Sequence, residues 1–334
     1  MTTSADTACT SSSRLAADTV PFTRASRPYT GWALLALTGA VLLWGTSYAA
    51  TKTALGYFSP WLLIWLRMVM ASLVLLPFWH RLPKPVYQAG DWKWLLGLGV
   101  LQPCLYFLLE VQALQFTSSG QAGTVAALAP LFVALLAWIW LKERMGLNGI
   151  LGLLLSLSGV VLLSLGAGHN QSAPNPLLGN ALQLLAMLCI AFYMVILKRL
   201  SSRYDTWWLT GTQNLLGVLF FLPGIWLAPE GTLAAAPQSA WLSVLYLGGL
   251  VTLGGFGLYN MAMRWIPASQ AAMSINLVPL IALLMGWLWL DESLSLLQSV
   301  AALAIFGGVI LGQLPSWQSR SATRHKSALE GDIG

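Results

Sequence analysis

The sequence predicts an all-α membrane protein of ten transmembrane helices, built as two inverted five-helix repeats. Three observations carry that expectation. The chain is 57% hydrophobic and only 8% charged, with mean hydropathy +0.70, against roughly a quarter charged in a soluble domain. Apolar runs of about 20 residues recur along it, each long enough to cross a hydrocarbon core about 30 Å thick. The third is a stretch that occurs twice: residues 113–162 align without a gap on residues 262–311, at a spacing of 149 residues.

The register of the repeat rests on residues that apolar composition does not place by chance. At this spacing Gln121 meets Gln270, Pro130 meets Pro279, Glu143 meets Glu292 and Gly159 meets Gly308. Trp138 and Trp140 meet Trp287 and Trp289. The fronts of the halves repeat more faintly at 146 residues, pairing Lys52 with Lys198, Trp61 with Trp207 and Pro77 with Pro223. An internal repeat governs every later assignment.

Taken in order, residues 1–31 are rich in Ser, Thr and Ala and lack the apolar segment of a secretory signal, so they read as a disordered tail. The first repeat, 32–166, holds spans at 32–50, 60–79, 92–113, 122–141 and 147–165. The second, 177–314, holds spans at 177–197, 207–228, 241–261, 268–290 and 294–314. Residues 315–334 form a second polar tail. Connections carry Pro, Gly, Ser or charge, as in "FSPW" and "GHNQSAPNP", which are turn signals. Trp61, Trp79, Trp92, Trp207, Trp208 and Trp241 crowd span ends, as interfacial belts require. Pro103, Pro130 and Pro279 fall inside spans, where a missing N–H kinks a helix or frees a carbonyl. The stretch "LGGLVTLGGFGLY" suits close helix approach.

Orientation follows from the basic residues. With both termini in the cytoplasm, the tails and the loops after spans 2, 4, 6 and 8 carry 15 of the 17 Lys and Arg, the positive-inside pattern. Lys52 and Arg67 are the exceptions. The net charge of +6 is therefore a topology signal, and no nucleic-acid partner is expected. Five spans per half is an odd number, so the second half is inverted relative to the first. Inverted repeats are an architecture of secondary transporters, with a substrate site near the bilayer midplane.

The residues also reach a family. "LLWGTSYAATKTAL…FSPWLLIWLRMVMASLVLLP" and "LLAMLCIAFYMVILKRL…LTGTQNLLGVLFFLP" resemble the opening of an EamA-type repeat. "SGQAGTVAALAPLFVALLAWIWLKE" and "ASQAAMSINLVPLIALLMGWLWLDE" resemble its closing segment. In order, and twice, these resemble the EamA family of the drug/metabolite transporter superfamily over nearly all the chain outside the tails. The resemblance implies ten helices in two inverted repeats, a bacterial inner-membrane location, and efflux of amino acids or other small metabolites.

Charge inside a membrane is costly and so marks function by default; Arg67 and Glu110 are the two such residues. Arg67 lies about 10 Å below its span's outer end at 1.5 Å per residue, and Glu110 lies at similar depth. They either pair as a structural ion pair or hold the two charged ends of an amino acid. Trp44, Tyr48, Gln102, Tyr106, Tyr193, Gln213, Tyr259 and Asn276 complete the set expected to line a central cavity, although each also suits interhelical hydrogen bonding. Gln183, Asn214 and Asn260 are further polar residues within spans. Glu110 is the expected site of any proton coupling. Glu143 and Glu292 each stand where one span ends and the next begins, and are expected to cap the start of the next helix.

An enzyme is the main rival class. His80, His169 and His325 lie in loops or a tail, so no His-based metal or acid–base site forms within the spans. Cys9, Cys104 and Cys189 suggest no disulfide. No nucleotide-binding loop follows a strand, so no cofactor is expected and energy comes from a coupled gradient or from the substrate's own. The expected partners are a small-molecule substrate, protons and the lipid bilayer. Importers of sugars or nucleotide-sugars, lipid-intermediate flippases, and a receptor or scaffold are the alternatives; oligomeric state is open.

Overall fold

The computed structural model describes residues 30–83, 85–141, 146–166, 173–200, 203–263 and 274–314. Residues 1–29 of the first expected tail, all of the second, Glu143 and the start of the expected span 9 lie outside the described residues; Thr30 and Gly31, expected in the tail, already belong to the first helix.

Every long described element is a helix. α1 is Thr30–Leu55. α2, Pro60–Leu75, begins with Pro60, which lacks only an N–H that no helix start can pair, and runs into a 3-10 turn at Pro77. α3, Asp91–Phe116, is interrupted by a π-helical turn, Val100–Tyr106, around Pro103. α4, Ser119–Ala126, and α5, Ala129–Leu141, are one apolar run broken just ahead of Pro130. α6 is Leu147–Leu165 and α7 is Pro176–Leu200. α8, Thr206–Phe221, is capped by Asp205, whose carboxylate accepts from the N–H of Trp207 and Trp208 at 2.9 and 3.3 Å. α9 comprises Gln238–Leu245, a π-helical turn at Tyr246–Gly255, and Phe256–Met263. α10, Val278–Leu290, and α11, Leu296–Gln313, close the fold.

Among the described residues, seven helices are long and apolar enough to cross a membrane: α1, α2 with its 3-10 turn, α3, α4 running into α5, α6, α7 and α9. α10 and α11 are apolar but shorter. Length and composition thus bring out fewer than the ten spans expected. Two causes are visible. The expected span 7 stops as α-helix at Phe221 because Pro223 turns the chain into 3-10 geometry. The expected span 9 is described only from Ser274.

The internal repeat is conformational as well as sequential. Both halves carry a π-helical turn in their third expected span. Both break a later helix 149 residues apart, at 127–128 and at 276–277, just before Pro130 and Pro279. Both end their second expected span in a 3-10 turn, at Pro77 and Pro223. Proline removes one helical N–H and its ring crowds the carbonyl of the preceding turn, so each irregularity falls where a proline or a glycine-rich run permits it.

The core lies between the halves rather than within them. α6 packs along α11, α4 on α10, α3 and α5 on α7, α2 on α8, and α1 on α9 and α10. One cluster joins Phe58, Leu62, Leu63 and Met68 of the first half to Phe221, Val244, Leu247 and Val251 of the second. The α6–α11 seam is made of small residues. A Cβ on Gly152 would stand 2.6 Å from the Gly312 nitrogen, and the Ser156 hydroxyl donates to the Ile305 carbonyl at 3.1 Å. In a bilayer, where apolar surface gives helices no reason to associate, such backbone approach drives pairing.

Polar ties cross the halves at both ends of the bundle. At one, Asp91 accepts a bidentate pair from Arg203 at 2.8 and 3.0 Å and a hydrogen bond from the Tyr204 hydroxyl at 2.9 Å. At the other, Glu292 corrects an expectation. It does not cap the next helix: α11 has its own capping box from Ser295 and Gln298. The Glu292 carboxylate instead accepts from the Ser119 N–H at 2.9 Å, the Ser119 hydroxyl at 2.7 Å and the Gly120 N–H at 3.1 Å. It caps α4, in the other half. Ser118 accepts from the Gln121 N–H, so the first three N–H groups of α4 all have acceptors, as a buried helix start demands. Lys52 serves the opposite pole nearby, donating to the Leu114 and Thr117 carbonyls at the end of α3.

Candidate functional site

The irregular turns converge on one cavity of about 270 Å³. α1 contributes Trp44, Ser47 and Tyr48; α2 contributes Arg67; α3 contributes Gln102, Tyr106, Phe107 and Glu110. The second half adds Tyr193 and an apolar wall of Met187, Ile190, Met194 and Leu197 from α7, with Leu209 from α8 and Thr252 and Tyr259 from α9. Ala126 and Ala129 flank one helix break, and Ile275 and Val278 flank the other.

Of the residues expected to line a cavity, the structure brings together Trp44, Tyr48, Arg67, Gln102, Tyr106, Glu110, Tyr193 and Tyr259. Gln213 stands behind this wall, buried and bonded to the Tyr193 hydroxyl. Asn276 sits in the turn between two lining residues. Gln183 and Asn214 are buried but do not line the cavity; the side chain of Asn260 lies outside the described residues.

The charged end is the chemical centre. Arg67 is 6% exposed and Glu110 6% exposed, yet they make no direct ion pair. The one salt bridge among the described residues within 4.0 Å is Arg203–Asp91. Arg67 is held otherwise: its Nε donates to the Thr252 hydroxyl at 3.0 Å, and its guanidinium lies 4.2 Å over the Phe107 ring, a cation–π contact. Glu110 accepts from the Tyr106 hydroxyl one turn before it, at 2.6 Å, and Tyr48 also faces it. Of the two sequence readings, the direct structural pair is the one the geometry does not support. Cation and anion instead face a common space, each with its own neutral partners. Trp44 and Tyr259, with ring centroids 5.4 Å apart, form an aromatic side of the chamber.

The sequence reading did not pick out Thr252, Phe107 or the wall of Met187, Ile190 and Met194. The apolar residues are indistinguishable in sequence from lipid-facing ones. Thr252 had a faint signal, as the one threonine within the glycine-rich run of α9. A Cβ on Gly248 would stand 2.8 Å from the Arg67 carbonyl oxygen, so the glycine there is what lets α9 reach α2.

Comparison with known proteins agrees with this frame. The chain is 29% identical over 272 residues to an uncharacterized transporter, YdfC, of Bacillus subtilis (strain 168), covering 80% of this chain and 86% of that one. It is 27% identical over 296 residues to a probable terminal-alkyne amino-acid exporter of Streptantibioticus cattleyicolor, covering 87% and 97%. A solved crystal structure shares the fold at TM-score 0.57 and 24% identity, covering 85% of this chain and 96% of the other. Residues 31–165 and residues 177–312 each match the EamA-like transporter family. With its several helices able to cross a bilayer, this is a multi-pass membrane protein and a transporter, and it belongs to the EamA-like transporter family.

Proposed function

We propose that the protein exports amino acids, or similar small neutral or zwitterionic metabolites with an apolar side chain, by alternating access of two inverted five-helix repeats. The observation that carries the reading is the unpaired opposition of Arg67 and Glu110 across one cavity. A guanidinium is matched to a carboxylate, and a carboxylate to an ammonium. An α-amino acid carries both, and its side chain would extend along Met187, Ile190 and Met194. Arg67 is the single cation among the described lining residues, which disfavours polyanions such as nucleotide-sugars. A volume of about 270 Å³ lies below the range of pockets that enclose drug-sized ligands, which disfavours a lipid intermediate. The Streptantibioticus relative, named for amino-acid export, points the same way.

In this reading the chain crosses the bacterial inner membrane ten times, with both termini in the cytoplasm. Glu110 takes either the substrate's ammonium or a proton, and that exclusion couples export to the proton gradient. Purified protein in vesicles provides the test. Wild type should drive uphill movement of L-leucine when a pH gradient is imposed. Glu110→Gln should abolish the uphill component and leave downhill exchange measurable. Movement of no amino acid, with or without the gradient, would overturn the exporter reading. Transport indifferent to both the gradient and the Glu110 change would leave a facilitator.

A further inference from the structure

We propose that Thr252 is a positioning residue: through it, the π-helical turn of α9 aims the Arg67 guanidinium, so the second half sets the first half's selectivity for a carboxylate. The inference rests on the reading that Arg67 receives the substrate's carboxylate, and goes on to say what makes it selective.

The geometry is one-directional. The Thr252 hydroxyl donates to the Leu247 carbonyl, five residues back, at 2.8 Å. A five-residue reach belongs to a π-helical turn, and Thr252 sits inside the one at Tyr246–Gly255. With its hydrogen committed there, the hydroxyl faces Arg67 as an acceptor, and Nε donates to it at 3.0 Å. Phe107 covers one face of the guanidinium. A planar group tied at Nε and covered on one face has little freedom left. Its outer edge, the two terminal nitrogens, has no acceptor among the described residues, while Arg67 lines the cavity. Those nitrogens form the fork that binds a carboxylate at two points.

The close approach is itself built in. Besides the Arg67 carbonyl, a Cβ at Gly248 would meet the Met70 Cβ at 2.6 Å. The device has no counterpart in the other half: at the 146-residue spacing of the fronts, Gln213 stands opposite Arg67. π-turns recur at functional sites because they redirect side chains that a regular helix would not.

The test is a binding competition on purified protein in nanodiscs. Radiolabelled L-leucine is the probe, and unlabelled L-leucine and L-leucinamide, which lacks the carboxylate, are the competitors. Wild type should prefer leucine to leucinamide, and Arg67→Gln should erase that preference. Thr252→Val should lower it roughly tenfold or more, the scale of a hydrogen bond to a charged group, while leucinamide binding stays near wild type. Thr252→Ser, which keeps the hydroxyl, should retain the preference. Thr252→Ala replaces the valine variant if that one does not purify as a single species. A general packing defect would weaken both competitors alike. If Thr252→Val or Ala keeps the preference that Arg67→Gln loses, the positioning role is wrong and the Arg67 reading stands. If Arg67→Gln keeps it too, or wild type binds neither compound, the reading of Arg67 falls and this inference falls with it.

Discussion

Glu292 shows how much one side chain can settle. Its carboxylate accepts three hydrogen bonds at the start of α4, and among the described residues the Ser119 and Gly120 amides have no other acceptor. Glu292→Ala should therefore cost about 2 kcal/mol, the upper range for a lost cap. Melting in detergent followed by size-exclusion fluorescence would read it as a lower midpoint, with Glu292→Gln in between. A midpoint unchanged in both would mean the cap contributes nothing. Arg67 and Glu110 make a contrasting case. Since they do not touch, the Arg67→Gln, Glu110→Gln double variant should not regain the stability lost by either single change. Their coupling should stay well under the roughly 3–5 kcal/mol that breaking a direct buried pair costs. Full rescue in that double-mutant cycle would restore the ion pair.

Among the elements, the α6–α11 seam is where size matters most. The Cβ of a Gly308→Val variant would run into the Ser156 hydroxyl and amide and the Gly152 carbonyl across the seam. Overpacking of this kind should cost about 3 kcal/mol and sharply reduce folded protein. Leu154→Ala, on the exposed side of α6, should leave yield and melting nearly unchanged. Equal effects at the two sites would show that the seam is not the packed face. The repeat, the apolar runs and the prolines were all readable beforehand, because each leaves a mark in residue identity. The breaks before Pro130 and Pro279 and the π-turn at Pro103 fell where prolines were noted. What a proline does not encode is which distortion it produces: a two-residue break in one helix, a wide turn in another. Nor did α9's π-turn have any proline to announce it. The polar and aromatic residues of the cavity were readable because they are costly in lipid. Its apolar wall was not, because leucine and methionine suit a cavity, a core and a bilayer equally. Glu292 was misassigned for a similar reason. Its sequence neighbour, the start of α11, was the nearest helix end along the chain but not in space.

At the scale of the whole molecule, the principal helix contacts run between the halves. Expressed as two separate polypeptides cut between α6 and α7, neither half should accumulate alone, and both together should reassemble into a species that binds ligand as the intact chain does. Pull-down of one tagged half by the other would measure it. Stable, monodisperse accumulation of either half alone would contradict a core shared across the two.

The same interleaving has a consequence in time. A ribosome delivers α1 to α6 before any of α7 to α11 exists. During that interval Arg67 has no Thr252, the start of α4 has no Glu292, and the glycine face of α6 has no α11 to lie against. The newborn first half thus enters the bilayer with a buried cation and free amides that only later residues can satisfy. Translation stalled after α6 should leave it held at the insertion machinery and open to quality-control proteolysis, and released once α11 has emerged.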